Sequence, residues 1–256
     1  KFFNLKKIKN LIKKNIKFDV IVGSNVICHI PDQKNLIKSM IKILKKEGTI
    51  IFEEPYLGAM YEKISYDQLY DEHIYMFSAS SVNEIYKLYG FKLIDAIPQT
   101  THGGSLRYIL KKDTNQKISK RLKNILLMEK KNHIDSFKGC LKFSHKVIKS
   151  KKKLQKKINF LKKNNKSLCG YGATSKSTTI LNFCNIGTKY IDCIFDTTPN
   201  KIGKYSPGMH IPIIDHKKFS KKFYDFSFLF AWNHKKEIEK KEKKYLKSGG
   251  KWITHL

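Results

Sequence analysis

Apolar residues along this chain follow two periods, and the switches between them mark out the elements. Residues 18–25 (FDVIVGSN) form an apolar run entered from a lysine-rich stretch, the pattern of a buried parallel strand. Pro31 and Asp32 then open a helix, since Pro suits the first turn and Asp favours its positive end. Leu36, Ile37, Met40, Ile41 and Leu44 follow at helical spacing, and Gly48 stops the helix. Residues 49–52 read as the next strand, ending in Glu53, Glu54 and Pro55. Strand–helix–strand is the repeating unit of an α/β sheet.

A loop with short helices runs to about Ser78, and residues 80–89 predict an amphipathic helix ended by Gly90. Residues 92–98 and 105–111 predict an antiparallel strand pair whose turn holds His102, Gly103 and Gly104. From 116 to 164 the pattern is helical and rich in lysine, a bridge between two domains. The second half restarts as α/β. It has strands at 167–170, 190–195, 226–232 and 251–255, with helices at 177–184 and 235–246. The expected organisation is therefore α/β throughout, with a first domain over 1–115, a helical bridge over 116–164 and a smaller Rossmann-like domain over 165–256.

Composition changes this picture little. The net charge of +31 invites a nucleic-acid reading. Nearly all of it is lysine, however, because Arg107 and Arg121 are the only arginines. Dense runs such as 149–157 lie on an expected helix and read as solvated faces. Such a charge still attracts an anionic substrate. Cys28, Cys140, Cys169, Cys184 and Cys193 form no CxxC pair, which predicts reduced thiols and no metal site. No stretch is apolar enough to span a bilayer and no signal peptide is legible, so the expectation is a cytoplasmic monomer, with no nucleic acid and no membrane as partner. The chain opens on Lys1, and its true start is expected upstream.

Several blocks in one order carry a resemblance. SNVICHIPD (24–32) resembles the fourth strand and following loop of a class I methyltransferase. YDEHIYMFS (70–78) resembles the active-site segment of the SAM-dependent sugar-nucleotide C-methyltransferases, and HGGSLR (102–107) is similar to another block of that family. GYGATSK (170–176), TTILNFC (178–184), DTTPNKIGKYSPGMHIPI (196–213), AWNHKKEI (231–238) and GGKWI (249–253) resemble its C-terminal domain. The resemblance implies a partial class I methyltransferase sheet, Rossmann-like, followed by a second Rossmann-like domain that helps bind a nucleotide sugar. The family begins with a cysteine-rich zinc domain and a glycine-rich loop that holds S-adenosyl-L-methionine (SAM). Neither is present here, so weak SAM binding by this chain alone is expected. Ser177 stands where the family more often has glycine.

The implied reaction methylates a sugar carbon beside a ketone. It needs a base, a group that stabilises the enolate oxygen, and a sulfonium methyl held in line. The resemblance makes His73 the general base, and an imidazole suits that task because it titrates near neutral pH. Glu72 orients a histidine or binds a substrate hydroxyl, and Tyr70 donates to the ketone oxygen or anchors a loop. His29, just past the first strand, is placed in the active site, with Asn25 and Val26 lining the cofactor. His102, Gly103, Gly104 and Arg107 face the substrate; the glycines also simply make a turn, and an arginine in a lysine-using chain hints at a planar anion. Gly170, Tyr171, Gly172 and Lys176 form a phosphate-cradle candidate at a helix start, where Tyr171 stacks on a base or packs.

Two rivals remain open at this level. The GYGATSK turn, with Asp196 closing the next strand, also reads as the dinucleotide site of an NAD-binding oxidoreductase. A basic, non-enzymatic nucleic-acid module is the third reading.

Overall fold

The computed structural model of the chain describes residues 3, 5–112 and 115–256. They divide into two compact units: Lys1–Lys63 with Asp71–Phe143, and Ile64–Tyr70 with Ser144–Leu256. The division differs from the boundaries read from sequence. The long helix belongs to both units, and seven residues from the middle of the first half belong to the second.

In the first unit, α1 (Lys9–Lys13) leads to β1 (Phe18–Ser24), α2 (Gln33–Ile43), β2 (Leu44–Pro55) and α3 (Leu57–Lys63). After the excursion through 64–70 come α4 (Ala79–Lys87), β3 (Lys92–Gln99), β4 (Ser105–Lys111), α5 (Lys120–Asn132) and the start of α6 (Phe137–Lys163). The sheet order is β1-β2-β4-β3, with β1 parallel to β2 and the other pairs antiparallel. Asp32 caps α2 by accepting from the Asn35 amide, as its position in sequence implies. Ser78 and Ser81 close a capping box on α4.

Two local expectations fail. Gly48 does not end the helix; α2 stops at Ile43, and Gly48 lies inside β2. The cause is a register break between the Phe18↔Leu44 and Val20↔Thr49 pairs, which lets Leu44 return to the ladder early. β1 is parallel as expected but not buried: Val22 is 71% exposed. Among the described residues no strand pairs with its outer side, so Phe18, Val20 and Val22 face solvent. An apolar groove of about 180 Å³ borders this edge between Val22, Val26, Ile27, Met40 and Phe52. The core lies on the other strands, around Phe52, Tyr86, Tyr108 and Leu110.

The second unit holds the rest of α6, then β5 (Leu168–Tyr171), α7 (Ser175–Cys184), β6 (Ile194–Asp196), β7 (Ile213–Asp215), β8 (Phe226–Leu229), α8 (Lys235–Lys241), α9 (Lys243–Lys247) and β9 (Lys251–Ile253). All five strands are parallel in the order β7-β6-β5-β8-β9, a Rossmann-like sheet. Strand order reverses direction between β5 and β8, the place where open α/β sheets bind ligands. On the part of α6 in this unit the buried positions are Leu154, Ile158 and Leu161, while Lys152, Lys153, Lys156 and Lys157 are exposed. The lysine run is a solvated helix face. No helix of the described residues is long and apolar enough to cross a membrane.

Candidate active site

The C-terminal ends of β1 and β2 and the turn between β3 and β4 share one edge of the first sheet. Ser24 pairs with Glu53, Glu53 with Arg107, and Pro55 with Ser105. The chain leaves β1 through Asn25, whose φ of 51° is left-handed, a conformation asparagine tolerates. A single 3-10 turn, Ile27–His29, follows.

His29 and His73 meet there. Their ring centroids are 5.2 Å apart. His29 Nδ1 lies 2.5 Å from the backbone carbonyl oxygen of Glu72. A carbonyl only accepts, so Nδ1 donates its proton, and the neutral ring keeps its lone pair on Nε2. The segment bearing His73 is tied to the same turn twice: the Tyr75 amide donates to the Cys28 carbonyl at 3.2 Å, and the Tyr75 hydroxyl to the Pro31 carbonyl at 2.8 Å. Glu72 meets His29 through its backbone carbonyl, and its side chain is exposed. Cys28 Sγ and one nitrogen from each histidine lie within 4.8 Å of one another, the donor set of a soft divalent metal. Burial, and next the Glu54 carboxylate, push the Cys28 thiol well up.

The HGG turn takes three successive left-handed residues, His102 (φ 52°), Gly103 (φ 85°) and Gly104 (φ 139°). A Cβ on Gly104 would meet Ala59 Cβ at 2.5 Å. Arg107, expected to hold an anion, donates to Glu53 Oε2 from Nη2 at 3.0 Å, while Thr101 donates to Glu53 Oε1 at 2.7 Å. The guanidinium is 44% exposed and keeps further donors for a ligand.

Tyr70 ends the segment that belongs to the second unit. Ser65, Tyr66, Asp67 and Gln68 of that segment are buried. Asp67 accepts from Trp232 Nε1 at 2.6 Å and pairs with His255 Nε2 at 3.2 Å. The Tyr66 ring packs edge-on against Phe183 and His255.

The GYGATSK turn sits at the end of β5, at the strand-order reversal. Three of its residues do work other than cradling an anion. Gly170 lies within the strand, and a Cβ there would meet Ile194 and Phe230 at 2.9 Å; what approaches closely is the core. Tyr171 is buried and packs. Its hydroxyl donates to Glu242 Oε1 at 2.8 Å and lies 3.0 Å from His216 Nε2. Asp196 accepts from the Ala173 amide through Oδ2 and from the Thr198 amide through Oδ1, both at 2.7 Å. Burial raises the Asp196 carboxyl, but the bonds from Thr198 and Ala173, with Lys201 nearby, outweigh it and hold the group below the usual carboxylate range. An ionised carboxylate therefore fills the amide position that a pyrophosphate needs. Gly172 (φ 88°) does need its freedom. Ser177 fits the turn by donating to the Thr174 carbonyl at 2.6 Å. Lys176 is nearly buried; its Nζ donates to Asn233 Oδ1 at 3.1 Å and sits over the Trp232 ring. Burial pushes its ammonium down, and Asp67 acts in the opposite sense.

Residues 100–256 match the C-methyltransferase C-terminal domain. The chain belongs to the C-methyltransferase family. Residues 3–96 of this family member match a methyltransferase domain. It is 26% identical over 238 residues to the C-methyltransferase NovU of Streptomyces niveus, covering 93% of this chain and 57% of NovU. The chain thus spans little more than half the length of that relative. Solved structures similar to part of it include a SAM-dependent methyltransferase of Thermotoga maritima, described as a possible histamine N-methyltransferase (20% identity, 38% of this chain, 58% of that one, TM-score 0.31). Another is the magnesium protoporphyrin IX methyltransferase of Synechocystis with bound SAH (16% identity, 40% and 48%, TM-score 0.31). Likenesses this partial bear on neither site nor substrate.

Two residues of the candidate site escape the sequence reading. Glu53 and Glu54 read there only as the end of a strand. The available signal is the adjacency of two carboxylates at the C-terminal end of a buried strand, where side chains alternate between faces.

Proposed function

We propose that this chain is part of a SAM-dependent C-methyltransferase that acts on a nucleotide-linked 4-keto-deoxysugar. The observation that carries the reading is the His29–His73 pair, with its fixed imidazole tautomer, at the C-terminal edge of the first sheet. His73 takes the proton from the carbon beside the ketone. His29 stands beside it, and the ketone oxygen needs a hydrogen-bond donor as negative charge develops.

Asn25 and Val26 suit SAM. Asn25 Oδ1 is buried without a hydrogen-bond partner, an acceptor in want of a ligand donor, and the Val26 side chain is exposed beside it. When bound, SAM supplies an electrophilic methyl to the carbon nucleophile. Arg107 and the HGG turn bind the anionic nucleotide sugar. The strong positive charge of the chain favours such an anion. The dinucleotide reading is disfavoured because Asp196 spends one oxygen on the turn's Ala173 amide and the other on the amide of Thr198.

The test is methyl transfer from labelled SAM to a nucleotide-linked 4-keto-6-deoxysugar. It is run on the chain and on the chain extended upstream, each beside its His73→Ala variant. Label on a ring carbon that the variant loses supports the reading. No transfer to several keto-sugars, together with fluorescence quenching on NADH titration, replaces it with the oxidoreductase.

A further inference from the structure

β2 ends in two adjacent carboxylates that leave the strand on opposite faces. Glu53 braces the HGG side through Thr101 and Arg107. Glu54 is turned inward and is 0% exposed. Its Oε1 accepts the amides of Val26 at 3.0 Å and Ile27 at 2.6 Å. Those amides open the Ile27–His29 turn, where helical N–H groups lack partners and negative charge is favoured. Its Oε2 is buried with no nitrogen or oxygen donor among the described residues, and the Cys28 thiol lies beside the carboxylate. Burying a carboxylate with one oxygen unsatisfied is costly, and an apolar side chain would fill the same space more favourably.

We propose that Glu54 is a positioning residue for His29, an inference that rests on the reading of His29 as part of the active site. The carboxylate fixes the first two amides of a turn only three residues long, and His29 is its last residue. From that turn two bonds reach the active-site segment: His29 Nδ1 to the Glu72 carbonyl, and the Tyr75 amide to the Cys28 carbonyl. Glu54 thereby sets, through the turn it holds, where His29 stands and which of its nitrogens carries the proton. The contacts of Glu54 are with the turn and not with either imidazole, so its part is indirect.

The experiment is nitrogen-edited NMR of the histidine rings in the intact chain, with resonances assigned by single substitutions. Wild type and Glu54→Gln, which keeps an acceptor at Oε1, are expected to show His29 protonated at Nδ1 with a slowly exchanging N–H. Glu54→Asp, shorter by one methylene, and Glu54→Ala are expected to lose that resonance and average the two tautomers, while His216 and His255 in the second unit stay unshifted. Where Glu54→Ala fails to fold, Glu54→Asp decides. A His29 tautomer unchanged in a folded Glu54→Asp protein overturns the proposal. The readout needs no turnover: if methyl transfer is absent, or survives His29→Ala, the catalytic reading of His29 fails while the result on Glu54 stands by itself.

Discussion

His29 Nδ1 rests 2.5 Å from the carbonyl oxygen of Glu72, a residue 43 positions later in the chain. This one bond fixes the tautomer of one histidine and brings the segment that carries the other beside it. The two imidazoles should therefore fail separately and unequally. His73→Ala removes the proposed base and is expected to lower kcat by about 10²- to 10⁴-fold with little change in KM. His29→Gln is expected to lower kcat less. Steady-state methyl-transfer kinetics on both variants check this; equal losses would indicate that the pair acts as one unit.

Gly104 is the residue of the HGG turn least able to change. Its φ of 139° is open only to glycine, and a Cβ there would meet Ala59 Cβ at 2.5 Å. Gly104→Ala is expected to cost about 2 kcal/mol or more, from strain and overpacking together. Urea denaturation measures it. The same substitution at Gly203, where a Cβ meets nothing within 4 Å, is the control and should cost about 1 kcal/mol from φ alone.

How much of this was legible depends on the range over which each feature is decided. The start of the first long helix at Asp32 and the antiparallel pair around HGG follow from neighbours a few residues apart, and they form as expected. β1 has the apolar composition of a sheet interior yet lies on an edge, because strand order is a property of the whole sheet. β7 is only three residues long and was missed. The helix expected over 235–246 breaks at Glu242, whose side chain turns to His216 and Tyr171. Tertiary contacts outweigh helical propensity there. In the site, the residue types and the resemblance pointed to His29 and His73. That Glu72 contributes a carbonyl, that Glu53 engages Arg107 and that Glu54 clamps a turn all depend on strand register, which no local pattern carries.

The buried group around Asp67 gives a stability prediction within the second unit. Asp67 Oδ2 accepts from Trp232, Oδ1 lies 3.2 Å from His255 Nε2, and no part of Asp67 is exposed. Asp67→Ala leaves the indole N–H of Trp232 without its acceptor and is expected to cost about 2 kcal/mol. Asp67→Asn keeps an acceptor for Trp232 and should cost roughly half of that. Chemical denaturation followed by tryptophan fluorescence reads both, and an Asn variant as damaged as the Ala variant would show that charge, not hydrogen bonding, holds the group.

Asp225 offers a test by pH. Its carboxylate accepts from the Ser167 amide at 2.9 Å and hydroxyl at 2.8 Å, and from Lys166 Nζ at 3.2 Å. The Ser167 amide above all, then its hydroxyl, bring the carboxyl from its ordinary 3.8 down to about 2. A lowered folded pKa means that the folded state favours the ionised form. The stabilisation is complete above about 3.8 and is lost as pH falls through about 2. The side chain is 30% exposed, so solvent screening keeps the contribution near 1 kcal/mol. Wild type should therefore exceed Asp225→Asn by about 1 kcal/mol in urea unfolding near pH 5, with the gap closing toward pH 2. A gap that does not change over that interval would mean that the amide and hydroxyl bonds are indifferent to the charge they serve.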